Sequence, residues 1–443
     1  MIIKSIYIRK NFYYGLSIIS GLFLLGHFWP LFFVLGIVGV SAFFSLVLID
    51  LVILYRRKYE ILEGSRKLPE RFSFGDDNKV EIEIRNLLPF RVRCEVVDEL
   101  PPQFQIRDFF RKSWLLPGEV WSFAYTLKPM ERGEFQFGTL NVFISTPQGL
   151  LSRKMEATGE FTVKVYPSFM QMRKFEIMAI SNRLSDVGIK KVRKFGHQME
   201  FDQIREYIEG DDIRTINWKA TARRDHLMVN QYQDEKSQQI FSLIDMGRTM
   251  KMPFDGKSLL DYAINTSLVL SNIAMLKHDK AGLITFNEKV RCLLPARKEA
   301  RHLQVIMEML YAQQTGFLEH NLEALYTIVR QKIPQRSLLV LYTNFESLKS
   351  AHREIPLLRR IATNHLLVVV FFENTEIEKM IHNDAKDVED IYRKTIAEKF
   401  IFDKKLIVKE LERNGIQAIL SKPGELTVAT INKYLEFKSR GLI

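Results

Sequence analysis

Cysteine is nearly absent from this 443-residue chain: Cys94 and Cys292 lie far apart, with no CxxC or Cys/His spacing around either. A disulfide framework and a structural zinc site both need more than that. The nine histidines are scattered, with no HExxH and no pair at helical ligand spacing beside a carboxylate, which argues against a His-based metal hydrolase. There is no G-x-x-x-x-G-K-[ST] phosphate loop and no G-x-S-x-G elbow, and Gly282 to Phe286 reads as strand. With 47% hydrophobic and 26% charged residues, a disordered or collagen-like chain is excluded. At roughly 100–200 residues per domain, the length allows two or three folded units. A surplus of positive charge remains to be explained: 64 Lys and Arg against 52 Asp and Glu, a net +12.

Two nearly uncharged apolar runs stand out, Phe12 to Trp29 and Leu31 to Ile49, separated by Pro30. At 1.5 Å per residue each is long enough to cross a hydrocarbon core of about 30 Å. A signal peptide would have one shorter apolar core and a small-residue cleavage site, whereas here a second run follows at once. The reading is a two-pass transmembrane hairpin over residues 1–58. Lys4, Arg9 and Lys10 precede the first run and Arg56, Arg57 and Lys58 follow the second, while His27 to Pro30 carries no Lys or Arg. Positive residues stay on the cytoplasmic side, so the N-terminus and the C-terminal domains are expected in the cytoplasm, on the cell's inner membrane. Asp50, at the inner end of the second run, is expected at the interface or paired with Arg56 or Arg57. A reducing cytoplasm suits two unpaired cysteines.

From Leu62 to Pro167 the pattern becomes short and alternating. Lys79 to Arg85 alternates strictly and Phe90 to Val97 nearly so, and Trp121 to Leu127, Leu140 to Ser145 and Phe161 to Val165 continue the series. Period-two patterning with turn signals at Pro101-Pro102, Pro117-Gly118 and Pro147-Gln148-Gly149 predicts an antiparallel, immunoglobulin-like β-sandwich over 59–168, serving as a spacer or docking module. Residues 169–236 read as a linker followed by a dense charged segment. The basic cluster Lys190, Lys191, Arg193 and Lys194 within it is read as solvated linker.

From Gln239 strands and helices alternate. Apolar strands are expected at Gln239 to Asp245, Gly282 to Phe286, Ser337 to Tyr342, His365 to Phe372 and Ile416 to Leu420, with amphipathic helices between them. This predicts a doubly wound α/β domain over 237–443, with a parallel sheet covered on both faces and a ligand crevice at the carboxyl ends of its strands. The fold class is therefore multidomain: membrane hairpin, β-sandwich, then α/β domain.

The first of these strands ends in Asp245-Met246-Gly247-Arg248-Thr249, where such a crevice opens. The strand and helix order resembles that of von Willebrand factor A domains, in which D-x-S-x-S, a later Thr and a later Asp hold a divalent cation. Here Gly247 and Thr249 stand at the serine positions, Asn344 at the later Asp, and Thr315 could supply the Thr. An amide for a carboxylate removes charge that Mg²⁺ relies on, so no cofactor is expected, with Mg²⁺ at Asp245, Thr249 and Thr315 the alternative.

The dense segment before that strand carries Arg205, Tyr207, Gly210, Asp211, Asp212, Arg214, Ile216, Trp218, Lys219, Ala222 and Arg223. Asp211 or Asp212 is placed to cap a helical stretch, and Arg214 falls one helical turn before Trp218, in range of a cation–π contact. So many close arginines and carboxylates read as a structural ion-pair network. The pattern R-x-Y-x-x-G-D-x-x-R-x-I-x-W-K-x-x-A-R resembles the signature of the domain of unknown function 58 family. The layout of hairpin, sandwich, signature and von Willebrand A-like domain is similar as well. That resemblance implies no established enzymatic activity. It implies a role beside MoxR-type AAA+ ATPases, as partner or adaptor in assembling or maturing other proteins, often of the envelope.

The expectation is thus a membrane-anchored, non-enzymatic interaction protein. The alternative is a metal-dependent hydrolase using Asp211, Asp212 or Asp245, which requires neighbours that split the carboxyl pKa values. Nucleic acid is not an expected partner, because Lys and Arg form no aromatic-interleaved stripe.

Overall fold

The computed structural model describes residues 5–55, 61–107, 109–180, 200–209, 211–233, 237–316, 318–377 and 387–443. Lys4, Arg56, Arg57, Lys58 and the cluster Lys190 to Lys194 lie outside them. The chain forms two compact units, Met1–Tyr166 and Pro167–Ile443.

In the first unit, strand β1 (Ile6–Ile8) leads into helices α1 (Lys10–Gly26) and α2 (Pro30–Tyr55). The helices form an antiparallel pair through ring contacts of Phe12 with Phe43 and Phe23 with Phe33. Gly36 permits the approach, since a Cβ there would sit 3.1 Å from the Phe23 ring. α2 is long and apolar enough to cross a membrane. α1 buries none of its side chains, and Leu24, Leu31 and Phe44 are all more than two-thirds exposed. So much contiguous apolar surface marks an interaction with lipid or protein.

The β-rich part contains β2 (Leu62–Lys67), β3 (Arg71–Ser73), β4 (Asn78–Asn86), β5 (Val92–Asp98), β6 (Phe110–Leu115), β7 (Val120–Leu127), β8 (Gly133–Phe137), β9 (Leu140–Ser145), β10 (Leu151–Thr158) and β11 (Phe161–Tyr166). The sheets run in the orders β1-β10-β9-β5-β6, β2-β4-β7 and β3-β11-β8. All pairings are antiparallel except β3 with β11. Alternation puts Val80, Ile82 and Ile84 of β4 inside and Lys79 and Arg85 outside, as period two requires. Ile82 and Ile84 share one core with Cys94, Val96, Val142 and Ile144 from the five-stranded sheet. Burial pushes the Cys94 thiol up to about 12, so it behaves as a small apolar side chain.

The inner end of α2 departs from expectation. Asp50 is fully buried against the β9–β10 turn, accepting hydrogen bonds from the Thr146 hydroxyl and from the Leu150 and Leu151 amides at 3.2 and 3.1 Å. The carboxylate caps backbone donors of the sheet layer instead of facing an interface, and Leu54 enters the same core. With β1 paired to β10 and Leu54 in the core, the inner end of α2 is seated directly on the sheets.

The second unit begins with α3 (Phe169–Ile180) and a hairpin of β12 (Glu200–Glu206) and β13 (Met228–Gln233), in the stretch read from sequence as linker and signature segment. Between the hairpin strands lies the short helix α4 (Trp218–Arg224). The main sheet follows: β14 (Gln239–Asp245), a small hairpin of β15 (Pro253–Phe254) and β16 (Lys257–Ser258), then β17 (Lys280–Phe286), β18 (Val290–Arg297), β19 (Leu338–Tyr342), β20 (Leu366–Phe372) and β21 (Gln417–Ser421). Its order is β18-β17-β14-β19-β20-β21, parallel except for β18. That antiparallel edge strand was not foreseen, because its proline and charged residues break the apolar run, features an edge position tolerates.

The intervening helices are α5 (Leu259–Leu276), α6 (Ala300–Tyr311), α7 (Leu322–Lys332), α8 (Leu348–Asn364), α9 (Val388–Arg413) and α10 (Leu426–Ser439). Side chains of α7, α8 and α9 share one core with Leu243, Leu341 and Val369 of the sheet. α5 packs with α3 and α10. Although apolar and long enough to span a membrane, α5 is a core helix, buried over 78% of its apolar window. The chain leaves β14 to build β17 on one side and β19 on the other, so the crevice opens at the carboxyl end of β14.

Candidate functional site

At that crevice Asp245 is fully buried and accepts three hydrogen bonds. Its Oδ1 takes the Gly247 amide at 2.7 Å, and its Oδ2 takes the Thr343 hydroxyl at 2.7 Å and Nδ1 of His320 at 3.0 Å. The other ring nitrogen of His320, Nε2, lies 3.3 Å from Oε1 of Glu354 on α8. Burial alone pulls the ring down, but the hydrogen bonds and charges of Asp245 and Glu354 outweigh it and hold His320 at about 10. At neutral pH an imidazolium therefore bridges the two carboxylates.

A hard cation does not fit this donor set. Oδ2 of Asp245 already faces a positive N–H, and among the described residues no three His, Cys, Asp or Glu side chains gather as a metal site. Thr315, in the loop before α7, donates nothing to Asp245, and the Thr249 hydroxyl is buried with no hydrogen-bond partner among the described residues. Asn344 accepts from Lys404 of α9 at 2.5 Å, and Phe345 O accepts from the same ammonium at 2.6 Å. Burial lowers Lys404 to about 8, against the opposing charge of Glu346. Internal cations, His320 and Lys404, thus stand beside the residues at the metal-ligand positions. Gly247 follows from the same packing: a Cβ there would lie 3.0 Å from Oδ1 of Asp245 and 3.2 Å from the His320 amide nitrogen. Next to this arrangement is a mostly apolar cavity of about 570 Å³, lined by Thr249, Phe254, Phe345, Phe372, Phe400 and Lys404 among others.

The signature residues form a separate constellation. Arg205 on β12 grips Asp211 with both ends of its guanidinium, at 2.8 and 2.6 Å, and donates to Glu206 O at 3.0 Å. The Ile208 amide also donates to Asp211, at 2.9 Å. Arg205, and then the Ile208 amide, hold the Asp211 carboxyl below its usual range, and Arg205 is raised in turn. The Tyr207 amide donates to Leu227 O, closing the hairpin. Gly210 lies outside the described residues. Asp212 caps the 3-10 turn Ile213–Thr215 by accepting from the Arg214 amide, and Asn217 caps α4 by accepting from Ala220.

The expected Arg214–Trp218 contact does not form. Ile216 is extended and bridges Val229, so the chain is not helical between the two and their spacing no longer stacks them. Trp218 is 68% exposed, Ile213 70% and Ile208 64%. Lys219, Arg223 and Arg224 are also exposed, and with Ile204 and Met228 they line a shallow cavity of about 410 Å³.

Residues 203–386 match the family model described as "Protein of unknown function DUF58". The matched stretch contains the whole run from Arg205 to Arg223 together with Asp245, His320 and Glu354. The uncharacterized protein YeaD of Bacillus subtilis is 25% identical over 191 residues, 41% of this chain and 47% of that one, so the match spans about half of this relative's length. Among solved structures, the conserved hypothetical protein BatB from Bacteroides thetaiotaomicron aligns over 46% of this chain and 100% of its own, at 14% identity and a TM-score of 0.29. The CARDB domain of the PF1109 protein from Pyrococcus furiosus aligns over 24% of this chain and 91% of its own, at 14% identity and a TM-score of 0.17. Likeness at that level says nothing about what the chain does.

Sequence reasoning missed His320, Glu354 and Lys404. His320 directly precedes the Asn321 cap of α7 and reads as an ordinary loop residue, and Glu354 and Lys404 are charges on amphipathic helices. No local pattern marks them, because only the sheet order brings them to Asp245 and Asn344.

Proposed function

We propose that the chain is a non-enzymatic, membrane-anchored adaptor: α1 and α2 cross the bilayer as a hairpin, and the immunoglobulin-like and von Willebrand A-like parts work in the cytoplasm. The observation that carries this reading is the exposed trio Ile208, Ile213 and Trp218, displayed beside Lys219 and Arg223 on a loop braced by the Arg205–Asp211 pair. Exposed Trp and Arg on a rigid mount are the usual anchors of a protein interface. A basic and apolar face calls for a partner with an apolar pocket rimmed by acids. The partner class implied by the resemblance is a MoxR-type AAA+ ATPase, and the cargo class is other membrane or envelope proteins.

The hydrolase alternative has little to work with. Asp211 is held by Arg205, Asp212 caps a turn and Asp245 already accepts from three donors. The test is a binding assay between the full chain in mild detergent and a purified MoxR-type ATPase. Trp218→Ala and Ile213→Ser should lose binding while remaining folded. No binding by wild type, or unchanged binding by both variants, overturns the assignment.

A further inference from the structure

Where β1 meets α1, the first unit contains a cavity of about 800 Å³ that faces the start of the apolar run. Among the described residues its lining includes four cations, Arg9, Lys10, Arg93 and Arg107, and one carboxylate, Glu95. Glu95 is already taken, lying 2.6 Å from Arg9 and 3.3 Å from Arg93. Arg9 is fixed further by a bond to the Ser145 hydroxyl at 2.7 Å. Lys10 and Arg107 are exposed and, among the described residues, have no carboxylate partner. Aromatic rings share this wall: Tyr14 is 65% exposed, and Trp114 stacks beneath Arg91 at 4.7 Å and lies 6.0 Å from Arg93.

Position decides what this chemistry suits. Lys10 is the first residue of α1, whose 17 residues rise about 26 Å at 1.5 Å each, close to the hydrocarbon thickness. If α1 lies in the bilayer, the cavity sits at headgroup depth, where aromatic side chains collect and basic side chains meet phosphate. Two cations with no carboxylate partner among the described residues, beside a prefixed Arg9–Glu95–Arg93 cluster, give an excess of donors that fits a phosphodiester.

We propose that this cavity binds the headgroup of an anionic phospholipid, with Lys10 and Arg107 on the phosphate and Tyr14 and Trp114 against the glycerol and upper acyl region. The inference rests on the membrane reading of α1 and α2.

The experiment has two arms. In the first, the full chain is mixed with phosphatidylcholine vesicles and floated on a density gradient; failure to insert removes the membrane reading and this proposal with it. In the second, the full chain in neutral detergent is titrated with dihexanoyl phosphatidylglycerol or dihexanoyl phosphatidylcholine, and adducts are counted by native mass spectrometry. The phosphatidylglycerol form should bind at least ten-fold more tightly. Lys10→Gln with Arg107→Gln should abolish that preference, while Lys349→Gln with Lys405→Gln, which removes equal charge elsewhere, should keep it. Insertion without headgroup preference, or a preference that survives the Lys10/Arg107 pair, sinks the proposal and leaves the anchor intact. Displacement of the lipid by millimolar inorganic phosphate or by a hexaglutamate peptide overturns the lipid assignment in favour of a free-anion or acidic-peptide site.

Discussion

The imidazole of His320 donates from Nδ1 to Oδ2 of Asp245 across 3.0 Å, so an internal cation neutralises the one fully buried carboxylate at the mouth of the α/β crevice. Its removal should be costly. His320→Ala leaves Asp245 buried with only neutral donors, and breaking a buried pair on one side costs about 3 kcal/mol or more. Chemical denaturation of the full chain in detergent should show a loss of that size, with His320→Gln milder because an amide can still donate. A change below about 0.5 kcal/mol in both variants would mean that the pair carries no weight.

The same pair has a pH signature of definite sign. His320 is raised to about 10 in the folded chain against roughly 6.5 unfolded, so its contribution is complete below about pH 6.5 and lost as pH rises toward 10. The stability difference between wild type and His320→Gln should shrink across that window, by at most about 1.4 kcal/mol per pH unit. A difference that grows with pH contradicts the assignment.

Restoring the expected ligands should not restore a metal. Gly247→Ser with Asn344→Asp places a Cβ 3.0 Å from Oδ1 of Asp245 and leaves Lys404 beside the new carboxylate. Calorimetric titration with Mg²⁺ or Mn²⁺ should show no binding to this double variant while His320 is present, and reduced stability. Saturable binding near micromolar concentration would show that the cation seat is intact.

Asp50 joins the second apolar helix to the sheets. Asp50→Ala removes the acceptor and leaves the buried Leu150 and Leu151 amides without it, at a cost of about 1–3 kcal/mol. Limited proteolysis should then cut at the β9–β10 turn faster than in wild type, whereas an interfacial Asp50 would leave cleavage unchanged.

The signature loop should separate bracing from display. Trp218→Ala, at a 68% exposed position, should alter stability by less than about 0.5 kcal/mol. Arg205→Ala frees Asp211 and should speed amide exchange at Ile208 and Asp211, whose amide donates to Ile208 O. Equal exchange in the two variants would show that the Arg205–Asp211 pair does not hold the loop.

Much of the architecture could be read locally. The strand at Gln239 to Asp245 has the expected bounds, and those at Ser337, His365 and Ile416 start one residue later, because short, mostly apolar runs between amphipathic helices favour buried strands. Strict alternation likewise located β4. By contrast, the Arg214–Trp218 contact was inferred from helical spacing that the chain does not adopt there, and the edge strand β18 was missed because it is only half apolar.

By itself, the sequence determined the periods: two apolar runs, alternating strands, a parallel-sheet rhythm, and a nineteen-residue signature that contains both arginines and carboxylates. These are local properties, set by which side chains must leave water. The tertiary structure alone decided which charges meet. His320, Glu354 and Lys404 reach the strand ends from distant helices and loops, Asp50 turns into the sheets, and Arg205 closes on Asp211 while Trp218 stays in solvent. A buried charge needs a partner within a few ångströms, and the order of strands in the sheet, not the order of residues in the chain, selects it.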